Sequence, residues 1–344
     1  MRRLSRGMTP EMIPASLPTE LQAALSNRLE GLSRHDAAQR AARISQTYRE
    51  GGTSGGIRSE IDAMAYALAR MPATYAAVAA ALNALCKLRP DFAPRTLLDI
   101  GAGPGTASWA AVEAFASLTS FALADDNESL RKLALDLMRG SVRLGGADYR
   151  KGDARDLIAA AEPADLVIAS YVIGELDERE RTELAALAWH KTRDTLLIVE
   201  PGTPGGYARI VALRAQLIDA GAHVAAPCPH ERTCPLTSPD WCHFTQRLPR
   251  SRAHKETKGV DLPFEDEKFA YVALMRSPPA QRAARVLAQP ILSKIEVAAK
   301  LCAPEGLVAT KVPRRDKANY ARARRWRWGD AVIDDETAGY KPAR

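Results

Sequence analysis

Four of the five cysteines, Cys228, Cys234, Cys242 and Cys302, are spaced like ligands. Three fall within 15 residues, and the fourth follows Cys242 after 59 intervening positions. Cys228 and Cys234 each precede a proline, which stiffens a ligand loop and withholds one N–H while neighbouring amides can still bond thiolates or sulfides. Four thiolates on irregularly spaced loops suit a [4Fe–4S] cluster, and a Cys-Pro step also occurs in ferredoxin ligand runs. Zinc is the runner-up, because structural zinc more often uses Cys-x2–4-Cys knuckles and neither short gap here is that tight. His230 and His243 read either as zinc ligands or as ordinary surface histidines. An odd cysteine total without an export signal argues against a disulfide framework. Cys86, in an Ala-rich stretch, reads as a small buried apolar residue.

A second constellation points to a nucleotide-like ligand. Leu98-Asp99-Ile100-Gly101-Ala102-Gly103-Pro104-Gly105 puts glycines at a strand-to-helix turn, where missing Cβ atoms let backbone N–H groups approach a ligand closely. Asp125, 20 positions after Gly105, ends the next apolar run, where a carboxylate can accept both ribose hydroxyls. The Gly-Ala-Gly-Pro-Gly form resembles the first motif of class I S-adenosylmethionine-dependent methyltransferases. That resemblance extends to Gly152-Asp153-Ala154 and to the run Asp165–Ser170. It implies that Asp99, Gly101, Gly103, Gly105, Asp125, Asp153 and Ser170 hold S-adenosylmethionine, with Asp153 on the adenine amino group. Catalysis has no comparable signal. Ser170-Tyr171-Val172-Ile173-Gly174-Glu175-Leu176 lacks the Asn/Asp-Pro-Pro-aromatic element of amino-group methyltransferases. No cysteine lies there to attack a pyrimidine ring, and Glu175 reads as a base or as a helix cap.

Charge supplies the third signal. The chain carries 48 Lys+Arg against 41 Asp+Glu, a formal net charge of +7. The stretch 245–328 holds 19 basic and 8 acidic residues, so the excess belongs to the C-terminal quarter. Between Lys311 and Asp330, Lys311, Arg314, Arg315, Lys317, Arg322, Arg324, Arg325 and Arg327 are interleaved with Tyr320, Trp326 and Trp328. Phosphates would meet the cations and exposed bases could stack on the aromatics, which points to RNA. Arg247, Arg250 and Arg252, just after the cysteines, form a second basic stretch. The bland alternatives are a solvated surface and tryptophans that anchor the tail.

The elements that must position these groups are legible in outline. With 344 residues and 46% hydrophobic composition, the chain can bury a core and is long enough for about two domains. The spacing predicts helices from Leu17 to Leu88, broken at Gly51–Gly56. From Arg95, apolar runs at 96–100, 120–124, 165–170, 195–200, 222–226 and 269–275 alternate with helical stretches. That alternation predicts an open, mostly parallel α/β sheet. Stretches 294–302 and 306–313 read as a β-hairpin carrying Cys302. The expected division is a helical domain over 1–93, a Rossmann-like methyltransferase domain over 94–276 with a cysteine-rich insertion at 228–267, and a hairpin with basic tail over 277–344. No uncharged apolar run of about 18 residues is present, so no membrane span is expected. Residues 1–18 have no apolar segment of the secretory kind.

Together these motifs resemble the methyltransferase-like assembly factors of the small ribosomal subunit, found in mitochondria and in bacteria. The residues carrying the match are Tyr48-Arg49, Ala65-Tyr66-Ala67, Arg70–Tyr75, Leu97–Gly105 and Val199–Pro204. They continue through Cys228-Pro229-His230, Asp240–Phe244, Tyr320–Arg324 and Trp328-Gly329-Asp330. The resemblance implies binding to small-subunit rRNA, a [4Fe–4S] cluster on the four cysteines, and a cytoplasmic location in bacteria or a mitochondrial one in eukaryotes. It leaves methyl transfer and oligomeric state open. The rival readings are an active rRNA methyltransferase and a zinc-stabilised small-molecule methyltransferase.

Overall fold

A computed structural model describes residues 12–29, 34–49 and 52–332. The absence of a secretory segment, as far as it concerns residues 1–11, and the end of the tail, 333–344, lie outside them. Three helices come first: α1 (Thr19–Leu29), α2 (Arg34–Arg49) and α3 (Glu60–Leu88). Ser59 caps α3 by accepting the Asp62 N–H, with Glu60 and Asp62 favourably placed in its first turn. Alanine on most faces lets this helix lie close against its neighbours, and 67% of its most apolar window is buried. By length and composition α3 alone, among the described residues, passes as a membrane span. Its burial explains that apolarity as packing instead.

The chain then alternates: β1 (Thr96–Ile100), α4 (Thr106–Ala114), β2 (Ser120–Asp125), α5 (Glu128–Met138), β3 (Asp148–Lys151), α6 (Ala154–Ala160), β4 (Ala164–Ser170), α7 (Glu178–His190), β5 (Thr192–Pro201), α8 (Pro204–Asp219) and β6 (His223–Ala226). It continues with β7 (Phe244–Pro249), α9 (Arg252–Lys258) and β8 (Phe264–Met275). Their sheet has the order β3-β2-β1-β4-β5-β8-β6, with β7 added along the outer half of β8. β1 to β5 are parallel, whereas β8 runs antiparallel to β5 and β6. This is an open, mostly parallel α/β sheet of the Rossmann-like kind, as expected. Leu97, Leu166, Leu197 and Trp109 pack on one face with α1 to α5, and Leu98, Val167, Leu196 and Leu213 on the other with α6 to α8.

Three features differ from the expectation. β3, Asp-Tyr-Arg-Lys, was not foreseen: it is an edge strand whose only buried residue is Tyr149, so it carries no apolar run. β8 begins at Phe264 rather than 269, since its charged first half pairs with β7 instead of entering the core. Residues 244–249 and 264–267 of the anticipated insertion are therefore sheet. A second, five-stranded sheet follows, built from β9 (Ala284–Val286), β10 (Ile291–Leu292), β11 (Glu296–Ala303), β12 (Gly306–Pro313) and β13 (Ala331–Val332), with α10 (Lys317–Ala323) between the last two. β11 and β12 are the anticipated hairpin, paired from Glu296–Pro313 to Ala303–Gly306 over a small core of Val286, Leu301, Val308 and Val332.

Candidate functional site

The glycine turn lies at the C-terminal end of β1 and borders a cavity of about 320 Å³. Gly101, Gly103, Asp125, Asp153 and Ser170 line it together, along with Asp126, Leu130 and Thr53–Gly55. Gly103 has φ +54, and an added Cβ would find its nearest neighbour at 3.9 Å, so its freedom serves the turn and the space above it. Asp99 and Gly105 require correction as donor contacts. Asp99 is fully buried behind the turn, where Oδ2 accepts the Ser108 N–H (3.1 Å) and hydroxyl (2.7 Å). Burial pushes its carboxyl up to about 7. A Cβ on Gly105 would collide with Met138 Cε, so that glycine serves packing.

Asp125 has a double duty. Gly103 N–H donates to its Oδ2 and Asn127 N–H to its Oδ1, both at 2.8 Å, which leaves each oxygen one further lone pair for a ligand. Burial raises its pKa to about 6 against these two hydrogen bonds. Tyr149, on the unforeseen β3, donates its hydroxyl to Gly103 O (2.5 Å) and fixes the same turn. Asp153 caps α6 and holds Arg155, with its carboxylate half exposed at the rim.

The residues after β4 are committed to structure. Ser54 donates its N–H (2.9 Å) and hydroxyl (2.7 Å) to Glu175, and Asn127 Nδ2 donates to Ser54 O and Ile57 O. The glycine-rich break therefore closes over the cavity, with Glu175 as its tether. Tyr171 is the one non-glycine residue with positive φ among those described (+58°), a strain of about 1–3 kcal/mol. Its hydroxyl donates to Glu267 (2.8 Å), which Arg70 approaches at 3.5 Å. A larger cavity of about 910 Å³ shares Tyr66, Thr74, Tyr171 and Glu175 with the first.

On the far side of β8 the four distant cysteines converge. Cys228, Cys234, Cys242 and Cys302 line one pocket with Tyr207, His230, Arg214 and Arg285. The loop after β6 brings three of them, and β11 brings Cys302, which pairs across the sheet with Arg285. Tyr207 Oη lies 3.2 Å from Cys234 Sγ, and His230 Nε2 lies 3.7 Å from Cys302 Sγ. Burial lifts the Cys242 thiol well above its ordinary value and that of Cys302 up to about 12. For Cys228 burial also prevails, with Arg214 pulling the other way. Among the described residues no group of three or more His, Cys, Asp or Glu is close enough to hold one metal ion. Of the two readings of these histidines, that of an ordinary surface residue does not hold for His230 and holds only in part for the half-buried His243. His230 is buried, and His243 is stacked on Trp241 (4.9 Å) and edge-on to Trp328 (4.7 Å). Cys86 sits against the core, its thiol raised to about 11 by burial. Arg214, Arg285 and Tyr207 carried no sequence signal.

The basic residues divide into two sets. Arg247 pairs with Asp266, Arg250 with Glu265, Arg252 with Glu256 and Lys311 with Glu296, so the stretch after the cysteines is largely neutralised. Arg314, Arg315, Arg324, Arg325 and Arg327 are exposed, and among the described residues none is paired with a carboxylate. Arg322 is half-buried and bonded to Asn319. Trp326 packs on the core of the second sheet and Trp328 on the main core, so the tryptophans anchor the tail rather than offer stacking faces.

Comparison with known proteins places these sites in context. The model of a family described as mitochondrial small ribosomal subunit Rsm22 matches residues 60–333. The human mitochondrial ribosome assembly protein METTL17 is 31% identical over 289 residues, covering 78% of this chain and 62% of its own length. Rsm22-cox11 tandem protein 2 of Schizosaccharomyces pombe, also mitochondrial, is 24% identical, covering 78% of this chain and 42% of its own. The chain thus spans less than two thirds of either relative. Among solved structures, magnesium protoporphyrin IX methyltransferase from Synechocystis with bound SAM aligns at 13% identity and TM-score 0.39, over 67% of this chain and 90% of its own. A SAM-dependent methyltransferase from Agrobacterium tumefaciens aligns at 12% and 0.39, over 60% and 63%.

Proposed function

The chain belongs to the Rsm22 family, and on that premise we propose that it is an RNA-binding factor of the assembling small ribosomal subunit. In this reading it holds S-adenosylmethionine in the glycine-turn cavity and a [4Fe–4S] cluster on Cys228, Cys234, Cys242 and Cys302. The observation that carries it is the convergence of four thiols, three from the loop after β6 and one from β11 of the second sheet, in one pocket. Four thiols with no carboxylate among the lining residues suit an iron–sulfur cluster, with zinc as the runner-up. Such a cluster supplies four iron–thiolate bonds and no acid–base step. The chain's own part is to hold β11 and the basic tail against the main sheet. RNA phosphates then meet Arg314, Arg315, Arg324, Arg325 and Arg327.

Anaerobic purification followed by iron, sulfide and zinc analysis with a visible spectrum tests the cluster. Equal iron and sulfide supports it, and zinc alone or no metal overturns it. For RNA, replacing Arg315, Arg324 and Arg325 by glutamine is expected to flatten the plot of log affinity against log salt by about 2, given about 0.7 per single-strand phosphate contact. An unchanged slope would move the RNA surface elsewhere. In the donor cavity, an ionised Asp125 accepts ribose hydroxyls that its protonated form holds less well. S-adenosylmethionine affinity should therefore rise with pH through about 6, and calorimetry on Asp125→Asn should show no such rise.

An active rRNA methyltransferase is the second reading, favoured by the larger cavity beside the donor site. The engagement of Glu175 by Ser54 and of Tyr171 by Glu267 speaks against a ready acid or base. Transfer of labelled methyl groups to small-subunit RNA would decide for it.

A further inference from the structure

Arg214 and Arg285 are 3% and 2% exposed, and both line the four-thiol pocket. Among the described residues neither is paired with a carboxylate. Arg214 donates to His230 O (2.6 Å) and also hydrogen-bonds the Cys228 thiol, and Arg285 donates to Pro227 O (3.1 Å) and Gly329 O (2.8 Å). Each keeps one buried N–H with no partner, Nε of Arg214 and Nη2 of Arg285. A guanidinium does not give up its proton, and an uncompensated buried charge is among the costliest features a fold can carry. Neutral thiols do not answer two such charges, whereas four thiolates on an oxidised [4Fe–4S] core are formally doubly negative.

We propose that Arg214 and Arg285 are the buried counter-charges of the group held by the four cysteines, giving their unpartnered N–H groups to its sulfurs. The inference rests on the cluster reading above. They are positioning residues: two positive charges balance the site, stabilise the more negative reduced form, and, through Arg285 and Gly329 O, join the site to the start of β13. An arginine that served packing alone would not need an anion, and that difference can be measured.

The test compares Arg214→Gln in two full-length backgrounds, the cluster-loaded chain and a cluster-free Cys242→Ser/Cys302→Ser chain. The expected result is a change of sign. Arg214→Gln lowers the thermal midpoint of the loaded protein, because an anion loses its partner. It raises that of the cluster-free protein, because an unanswered buried charge is removed. In a redox titration of the loaded form, Arg214→Gln should weaken the preference for the reduced state about tenfold, ~59 mV for one electron, while Arg214→Lys, which keeps the charge, stays near wild type. The same sign in both backgrounds, or an unmoved potential, overturns the proposal while leaving the cluster in place. Should the glutamine variant fail to fold, a lysine variant with a wild-type potential supports it, and a lysine variant that fails equally overturns it. Wild-type protein without iron would fail the cluster reading itself, visible in the metal analysis before any arginine variant is made, and would overturn this inference with it.

Discussion

Replacing Cys302 by serine is expected to abolish iron–sulfide absorption and to loosen the second sheet while the first stays folded. The reason is topological. Three of the candidate ligands hang from the loop after β6, but Cys302 belongs to β11, across the sheet from Arg285. Besides the pocket, the polar contacts that bridge the two parts among the described residues include Arg232 to Pro304 O, Lys300 to Asp240 (2.5 Å), Arg282 to Glu231 (2.5 Å) and Arg285 to Pro227 O. The exposed pairs among them are worth about 0–1 kcal/mol each. A ligand bond lost at Cys302 therefore removes a tie that these contacts and the packing of Trp328 on the main core replace only in part. Hydrogen exchange should quicken in β9 and β11 to β13 and stay slow in β1, β4 and β5. RNA affinity should fall at least about tenfold, ~1.4 kcal/mol, as the tail loses its fixed orientation. A serine variant that kept both its metal and its affinity would sink the proposal.

Gly101→Ala is expected to be the most damaging single change in the donor cavity. Gly101 has φ +64, which costs an alanine about 1–2 kcal/mol, and the new Cβ would lie 2.4 Å from Val172 Cγ2 and 2.6 Å from its Cβ. Valine is stiff at χ1 and cannot swing aside, so overpacking adds about 1–3 kcal/mol. Because Val172 adjoins Tyr171, the displacement reaches the cavity floor, and donor binding should be lost along with stability. Gly105→Ala meets only the flexible end of Met138, and Gly103→Ala meets open space, so each should cost little beyond the backbone strain. Thermal midpoints and calorimetry on the three variants give the ranking. Gly101→Ala as mild as Gly103→Ala would refute the packing argument.

The contrast among the three glycines also shows what kind of information each level carries. Their positions and the strand-to-helix turn were legible from Leu98 to Gly105, since apolar runs and glycine punctuation are local signals. Which glycine faces a ligand and which faces a side chain depends on Val172 and Met138, far away in the chain. Asp99 is the sharper case. Its place beside the motif predicted ligand contact, and the helix that begins at Thr106 claims its carboxylate through Ser108.

The sequence by itself determined the class of sheet, the turn that opens the cavity, the four cysteines as a set, and the location of the positive charge. Each rests on residue type and spacing along the chain. Only the tertiary structure decided that Arg247, Arg250 and Arg252 spend their charge on Asp266, Glu265 and Glu256, whereas Arg314, Arg315, Arg324, Arg325 and Arg327 meet no carboxylate among the described residues. It alone turned Trp326 and Trp328 into anchors, recruited Tyr149 from a strand with no apolar pattern, and buried Arg214 and Arg285 beside the thiols. Partners in an ion pair or a buried pocket are chosen by proximity in space, and for these residues proximity is set by how strands distant in sequence come to lie side by side.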